Sequence, residues 1–362
     1  MKLLYVTYID FDGSGKSGSS VRPQKMYKAF LKLGLDVKLL ECQQNKFKER
    51  RKKVREILEW LDNNTPDICY IESPSGPIFN QIDLKLIKKV HKMGVPIGYF
   101  LRDAFWKFPI LQKGNPVIKK VVINSMCRRD IHTLIRNCDI IYFPTRSFAK
   151  LFNLKKIKSW DTLPPAADIE ETTMRLSQKT LKKNCIYVGG VSLLYGSDIL
   201  VEAFKRLNIE RTVYNLILIC REKEYKDFFK ETNKYSWLKV VHVSGEDLKK
   251  YYLTADVGII PIRKTGYSNI GISVKTFEYL GYGLPIISTN TAEMGKFVSE
   301  NKVGIVCEDN PESLANAIEK IFSCDNGSEM LRNVENVAQK NSWECRAKQV
   351  IDELMKLKDE KN

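Results

Sequence analysis

The stretch Ser273–Asn290, SVKTFEYLGYGLPIISTN, reads as a short helix feeding a buried strand. Ser273 is placed to cap the helix, Gly283 to close it in a left-handed turn, and Pro285 to forbid its continuation. Leu284–Ile287 is then a short apolar run suited to the inside of a parallel sheet. Lys275 and Glu278 lie three apart and share one face of the first turns. A lysine there opposes the helix dipole, which puts partial positive charge at that end. Two readings are open: a phosphate held between Lys275 and the free backbone N–H groups, or a solvated Lys–Glu pair at a helix end.

Working outward, the second half alternates strand and helix. The strands are CIYVGG (185–190), NLILIC (215–220), LKVVHVS (238–244), DVGIIPI (256–262) and VGIVCE (303–308). Helices are predicted over 197–207, near 224–233, over 246–254, from Asn310-Pro311 onward, and from about Ser342 to Lys358. The first half repeats the pattern. Strands KLLYVT (2–7), LDVKLLE (35–41), DICYIE (67–72), VPIGYFL (95–101) and CDIIYFPT (138–145) alternate with helices at 23–33, 47–61, 80–93 and 117–136. Alternation of this kind argues parallel sheets wound on both faces. The polar, proline-led segment 164–184 is a candidate interdomain connection. Two doubly wound domains facing each other would leave a central cleft for a ligand.

A chain of 362 residues exceeds one ordinary core. Its hydrophobic content of 43% and mean hydropathy of −0.29 describe a soluble globular protein. No apolar run is long enough to span a bilayer, and the N-terminus meets charge too early for a signal peptide. The nine cysteines are scattered without a CxxC, and read as reduced, buried, cytosolic residues. Three histidines far apart in sequence make a histidine metal centre a poor fit.

Charge is unevenly placed. Residues 1–165 hold 31 Lys and Arg against 15 Asp and Glu, while 166–362 hold 28 of each, so the whole +16 belongs to the first part. That asymmetry suggests a neutral domain joined to one facing something acidic, against the plainer reading of lysine enrichment for solubility. The basic helix Phe47–Leu61 carries Val54, Ile57, Leu58 and Leu61 on one side; core packing of that stripe is the first reading, and membrane-surface contact by the basic face the second.

The loop 12–20, DGSGKSGSS, imitates two nucleotide motifs. Gly13, Gly15 and Gly18 match GxGxxG, with Glu41 where a dinucleotide fold keeps its ribose acid, and GSGKS resembles a P-loop. Tyr8–Asp12 intervene before the first glycine, and Asp10 stands where a P-loop glycine belongs. A glycine-serine loop at the carboxyl edge of a sheet fits a ligand or a purely structural role. Strand 95–101 ends in Arg102-Asp103-Ala104-Phe105-Trp106, an ion pair or a ligand contact.

The segments IYVGGVSLLYGSDILVEAFKRL, YYLTADVGIIPI, VKTFEYLGYGLPIIST, VGIVCEDNPESLANAIEKI and SWECRAKQV, in this order and spacing, resemble glycosyltransferase family 4, in a subgroup with a K-x-x-E-Y motif. The resemblance covers roughly 185–345 firmly and the N-terminal half more loosely. It implies a GT-B fold: residues 1–163 as the acceptor-side Rossmann-like domain, rejoined by helix 343–362, and 185–342 as the nucleotide-sugar donor domain. It further implies sugar transfer from a nucleotide-sugar to a glycan or lipid-linked acceptor, usually with retention, using no metal and no cofactor.

Residue by residue, Glu278 matches the second glutamate of the family's Glu-x7-Glu motif, which binds donor ribose. Lys275 matches the subgroup lysine, and Gly189 and Gly190 the glycine turn near the donor phosphates. Ser268 and Asn269 group with the donor-binding residues. Arg102 and Asp103 fall where many members place a His-Asp pair, while Gly15, Gly18 and Ser19 fall in the loop near the reaction centre. This sequence departs at Ile270, where the family has its first glutamate, and at Gly190 and Tyr195, where it often has cations. Arg263 and Lys264 are expected to replace that charge with Lys275.

With its basic first domain the resemblance implies a cytoplasmic enzyme, peripheral on the inner membrane face through clusters at 46–53, 85–92 and 150–158, in polysaccharide or glycoconjugate synthesis. Two other readings are a non-catalytic relative partnering another transferase, and a nicotinamide-dependent oxidoreductase. Nucleic acid has only charge in its favour, with no recognised binding module.

Overall fold

The computed structural model describes residues 1–11, 18–169, 183–210, 213–229, 235–323 and 327–360. The chain divides into two compact units, Met1–Pro164 with Trp343–Asn362, and Pro165–Ser342. The first unit contains β1 (Lys2–Val6), α1 (Gly18–Lys32), β2 (Asp36–Leu40), α2 (Phe47–Asn63), β3 (Ile68–Glu72), α3 (Gln81–Lys92), β4 (Ile97–Phe100), α4 (Val117–Asn137), β5 (Ile140–Phe143), the single turn α5 (Arg146–Ala149) and β6 (Trp160–Thr162). The second contains β7 (Lys183–Val188), α6 (Ser197–Leu207), β8 (Tyr214–Ile219), α7 (Glu222–Phe228), β9 (Leu238–Val241), α8 (Lys249–Tyr252), β10 (Val257–Ile260), α9 (Val274–Gly281), β11 (Ile286–Thr289), α10 (Ala292–Glu300), β12 (Gly304–Cys307), α11 (Pro311–Ser323) and α12 (Gly327–Lys340). Helix α13 (Trp343–Asp359) returns to the first unit.

Each unit is built on a six-stranded parallel sheet, ordered β2-β1-β3-β4-β5-β6 in the first and β12-β11-β10-β7-β8-β9 in the second. Strands β4, β5 and β10 are buried along their whole length, which their unbroken apolar runs require of a sheet covered on both faces. The strand order reverses between β1 and β3 in one sheet and between β7 and β10 in the other. Connecting loops diverge at such a switch point and leave a crevice at the carboxyl ends of the strands, where open α/β sheets bind ligands.

Helix α13 is fixed to the first unit by several polar contacts. Lys358 Nζ lies 2.6 Å from Asp67 Oδ1, Gln349 Nε2 donates to Thr162 O at 3.2 Å, and Arg346 Nε donates to Pro164 O at 3.2 Å. Gly98 on β4 makes the packing possible, since a Cβ there would stand 2.9 Å from Tyr142 and 3.3 Å from Leu354 of α13.

The first helix starts at Gly18, earlier than the expected Pro23, and Pro23 therefore lies inside it. Of the eight cysteines among the described residues, seven are buried and Cys345 is exposed, so the expectation of burial fails at that one. Gly13 and Gly15, and most of the segment 164–184, lie outside the described residues.

Candidate functional site

In the second unit the carboxyl ends of β7 and β10 lie on either side of the switch point, and α9 is attached to them through Tyr279. The two strands are paired at Val257–Cys185 and Gly258–Ile186. Gly258 has no Cβ because the Tyr279 ring takes that space; an added Cβ would stand 2.3 Å from it. From there the Tyr279 hydroxyl accepts a hydrogen bond from the Val188 N–H at 3.1 Å. That donor is the last on the inner edge of β7, one residue before the Gly189-Gly190 turn. Tyr279→Phe would leave it buried without a partner, and is expected to cost about 1–3 kcal/mol in urea unfolding of the second unit. Wild-type stability would show that the hydroxyl does not hold the turn.

The opening of α9 follows its sequence. The Ser273 side chain accepts from the Lys275 N–H at 3.2 Å, and Gly283 adopts φ +69°. The Thr276 N–H is also taken, by Ser273 O at 3.1 Å, so two of the N–H groups expected to be free for an anion are satisfied internally. Lys275 Nζ lies 2.5 Å from Glu278 Oε2, and Tyr252 of α8 donates its hydroxyl to the same oxygen at 2.7 Å. Both charged side chains are about a quarter exposed. Burial, then the neighbouring Glu278 carboxylate, pushes the Tyr252 phenol well above its usual range, so Tyr252 acts here as a proton donor. The result is a small cluster of one cation, one carboxylate and one hydroxyl, the two charges about a quarter open to solvent.

The other donor-side candidates are engaged elsewhere. Arg263 pairs with Asp198 at the start of α6, and Lys264 with Glu308 at 3.0 Å. The Ser268 hydroxyl donates to Arg263 O at 2.7 Å and closes a tight turn, while Asn269 Oδ1 accepts from Ala292 N at the head of α10. The glycine turn is packed close. A Cβ on Gly189 would stand 2.9 Å from the Tyr187 hydroxyl, and one on Gly190 would stand 2.9 Å from the Tyr195 ring. Tyr187 also donates its hydroxyl to Gly190 O at 2.6 Å. Asp198 and Tyr252 were not singled out from the sequence. Their only signal is position: one residue inside α6, and a tyrosine in the quoted YYLTADVGIIPI segment.

In the first unit Arg102 and Asp103 follow β4. The Arg102 N–H donates to Ser73 Oγ at 3.0 Å, and Asp103 Oδ1 accepts from the Phe105 N–H at 2.9 Å, an Asx-type turn. Burial raises the Asp103 carboxyl above its ordinary range, against the Phe105 and Ala104 N–H groups. Burial lowers the Arg102 guanidinium, which makes no hydrogen bond to a carboxylate among the described residues. Beside it, Arg22 is held by Glu72 at 2.9 Å and stacks 3.7 Å from the Phe100 ring, a buried pair absent from the sequence reading. Asp103 borders a cavity of about 30 Å³ lined also by Ser75, Tyr99, Trp106 and Asp130, which has room for a water or two and not for a sugar ring. Gly18 and Ser19 open α1, and Gly15 lies outside the described residues.

Two alternative chemistries find their residues occupied. Glu41, the would-be ribose acid of a nicotinamide fold, pairs with Lys53 at 2.8 Å and accepts from the Phe11 N–H at 2.9 Å. Asp10, Cys42 and Glu49 lie within metal-ligating reach of one another, but the Lys46 ammonium stands 2.7 Å from Asp10 and 3.9 Å from Glu49.

Residues 182–324 match the family model described as Glycosyl transferases group 1. TuaH of Bacillus subtilis, which carries the name of a teichuronic acid biosynthesis glycosyltransferase, is 27% identical over 107 residues, 29% of this chain and 27% of its own. An uncharacterized glycosyltransferase of Methanocaldococcus jannaschii is 25% identical over 179 residues, 47% of this chain and 44% of its own. The chain thus spans less than half the length of these two relatives. Among solved structures, an alpha,alpha-trehalose-phosphate synthase (UDP-forming) from Burkholderia vietnamiensis superposes with a TM-score of 0.64 at 11% identity, over 99% of this chain and 97% of the other. HepE from Anabaena, solved in complex with UDP and glucose, superposes with a TM-score of 0.63 at 13% identity, over 98% and 99%. These likenesses identify the fold as GT-B.

Proposed function

We propose that this protein is a nucleotide-sugar-dependent glycosyltransferase of the K-x-x-E-Y subgroup, acting with retention and without metal. The second unit takes the donor and the first the acceptor, a glycan or a lipid-linked pyrophosphate glycan. The observation that carries the reading is the Lys275–Glu278–Tyr252 cluster on α9. It is tied through Tyr279 to the end of β7 at the switch point, within the stretch that matches the transferase model. A structural neighbour solved in complex with UDP and glucose, and a relative named for teichuronic acid biosynthesis, support a nucleotide-sugar donor and a role in polysaccharide synthesis.

As the glycosidic bond breaks, a nucleoside diphosphate gathers negative charge. Preorganised cations then stabilise the transition state more than the ground state. Lys275 stands in the first turn of α9, and its anionic partner Glu278 is claimed by ribose hydroxyls when donor binds. Arg263 and Lys264 contribute once the phosphates outcompete Asp198 and Glu308. Asp103 orients the acceptor hydroxyl, and Arg102 attracts an anionic acceptor.

A second reading, a non-catalytic GT-B partner, is favoured by Ile270 and by the ion pairs that neutralise Arg263 and Lys264. Thermal shift against a panel of nucleotide-sugars separates the two. The transferase reading expects one nucleotide class to stabilise the protein, at about 2.7 kcal/mol for a hundred-fold excess over Kd. No stabilisation by any donor would overturn it.

A further inference from the structure

We infer that the first two turns of α4 dock on an anionic lipid bilayer. Val117, Ile118, Val121 and Val122 are 75, 79, 62 and 51% exposed. Their spacing puts them on one helix face, and four adjacent bare aliphatic side chains are unlike the single ones a soluble surface scatters. Around them, residues 104–129 contain six basic side chains and no acidic one. Arg129 is committed to Asp130 at 2.7 Å, whereas Lys107, Lys113, Lys119, Lys120 and Arg128 have no carboxylate partner among the described residues.

The basic clusters named from the sequence fit this role less well. In 46–53, Lys46, Arg50 and Lys53 are paired with Asp10, Asp83 and Glu41; in 85–92, Lys89 is paired with Asp62. The cluster at 150–158 has charge but no exposed large aliphatic neighbour. A second copy of this chain is a poor occupant of the α4 face, because like charges would meet across the contact. A bilayer satisfies both features: the aliphatic side chains enter the headgroup boundary, and the lysines meet lipid phosphates. No helix among the described residues is long and apolar enough to cross a membrane, so the contact lies on the surface.

The position of α4 gives the contact a use. Its residues Cys127, Asp130, Ile131 and Leu134 line the same cavity as Asp103. The helix proposed to meet the bilayer is therefore the one that, farther along, packs beside the segment carrying Asp103. The docking itself does not depend on the sugar-transfer reading.

Co-sedimentation with vesicles of phosphatidylglycerol and phosphatidylcholine, against pure phosphatidylcholine, tests it. Wild-type protein should bind the anionic vesicles and be released by salt. Lys119→Gln/Lys120→Gln should lower the partition coefficient by about five-fold per lysine. Ile118→Ser/Val121→Ser, at sites too exposed to disturb folding, should lower it by about ten-fold or more. The control Lys150→Gln/Lys155→Gln should change it by less than about two-fold, and all variants should keep the wild-type melting temperature. No binding to anionic vesicles, undiminished binding by both α4 variants, or an equal loss in the control would each overturn the proposal. Capture of an acidic protein on this face without vesicle binding would do the same. Nucleotide-sugar stabilisation, read on the same preparations, would be unaffected by any of these results.

Discussion

Replacing Lys275 by alanine is expected to lower the turnover of sugar transfer by about 10²–10³-fold, the loss typical when one preorganised charge-stabilising group is removed. The ammonium group is positioned before any ligand arrives, 2.5 Å from Glu278 and 3.4 Å from the Tyr252 hydroxyl. Little of its effect can be structural, because an ion pair that reaches solvent contributes about 0–1 kcal/mol to stability. Glu278→Gln keeps the shape and removes the charge. It is expected to lower kcat/KM by about ten- to a hundred-fold, from the loss of a charge-assisted hydrogen bond to donor hydroxyls. The two losses should differ in kind, Lys275→Ala falling mainly on kcat and Glu278→Gln on both constants. Initial rates with the stabilising donor, together with unfolding midpoints, check this. Near wild-type turnover in both variants would remove α9 from the reaction.

Replacing Asp83 by alanine is expected to destabilise the first unit by about 3–5 kcal/mol. Arg50 and Asp83 are 0% and 1% exposed. The guanidinium donates through Nε and Nη2 to Asp83 Oδ1 at 3.0 and 2.7 Å, and through Nη1 to Thr7 O at 2.5 Å and Cys42 O at 3.1 Å. It also lies 4.2 Å from the centre of the Tyr8 ring. Thr7 lies one residue after β1 and Cys42 two residues after β2, so Arg50 joins the loops at the carboxyl edge of the sheet to α2 and α3. Without Asp83 the cation stays buried and unpaired. The expected loss is a large part of the roughly 5–15 kcal/mol that holds an ordinary domain. Arg50→Leu/Asp83→Leu, which removes both charges, should cost less than Asp83→Ala alone. Urea unfolding, followed for separate transitions of the two units, is the measurement. A loss under about 1 kcal/mol for Asp83→Ala would show that water or a neighbour replaces the carboxylate.

The Arg50 pair also marks where local sequence reading stops. Periodicity in α2 gives an apolar stripe of Val54, Ile57, Leu58 and Leu61, opposite a basic face suited to a membrane surface. Arg50 lies in phase with that stripe, one turn before Val54, and is buried with it. Periodicity located the face, but the counter-charge is on another helix, and no spacing within α2 reveals it. The same limit applies at α9. Its cap at Ser273, its left-handed Gly283 and its stop at Pro285 are local rules and appear at those residues. The partner Tyr252 stands 23 residues before Lys275 and is brought there by the sheet.

Other differences have the same origin. The alternating runs that define both parallel sheets were legible because a strand buried on two faces is apolar throughout. Helices α10 and α12 were not singled out, since polar residues open both and half of each faces solvent. In α4 an apolar stripe was legible, yet Val117, Ile118, Val121 and Val122 face outward and the buried side is Cys127, Asp130, Thr133 and Leu134. A helical pattern shows that an apolar face exists; the fold decides whether protein covers it.

Calorimetric titration of the nucleoside diphosphate released by the stabilising donor, into wild-type protein and into Lys275→Ala, tests the assignment of α9 to the donor most directly. One binding site per chain is expected in the wild-type protein, and an affinity about ten- to a hundred-fold weaker in Lys275→Ala, from the loss of one charged contact to phosphate. Equal affinities in the two proteins, or no binding to wild-type protein, would contradict it.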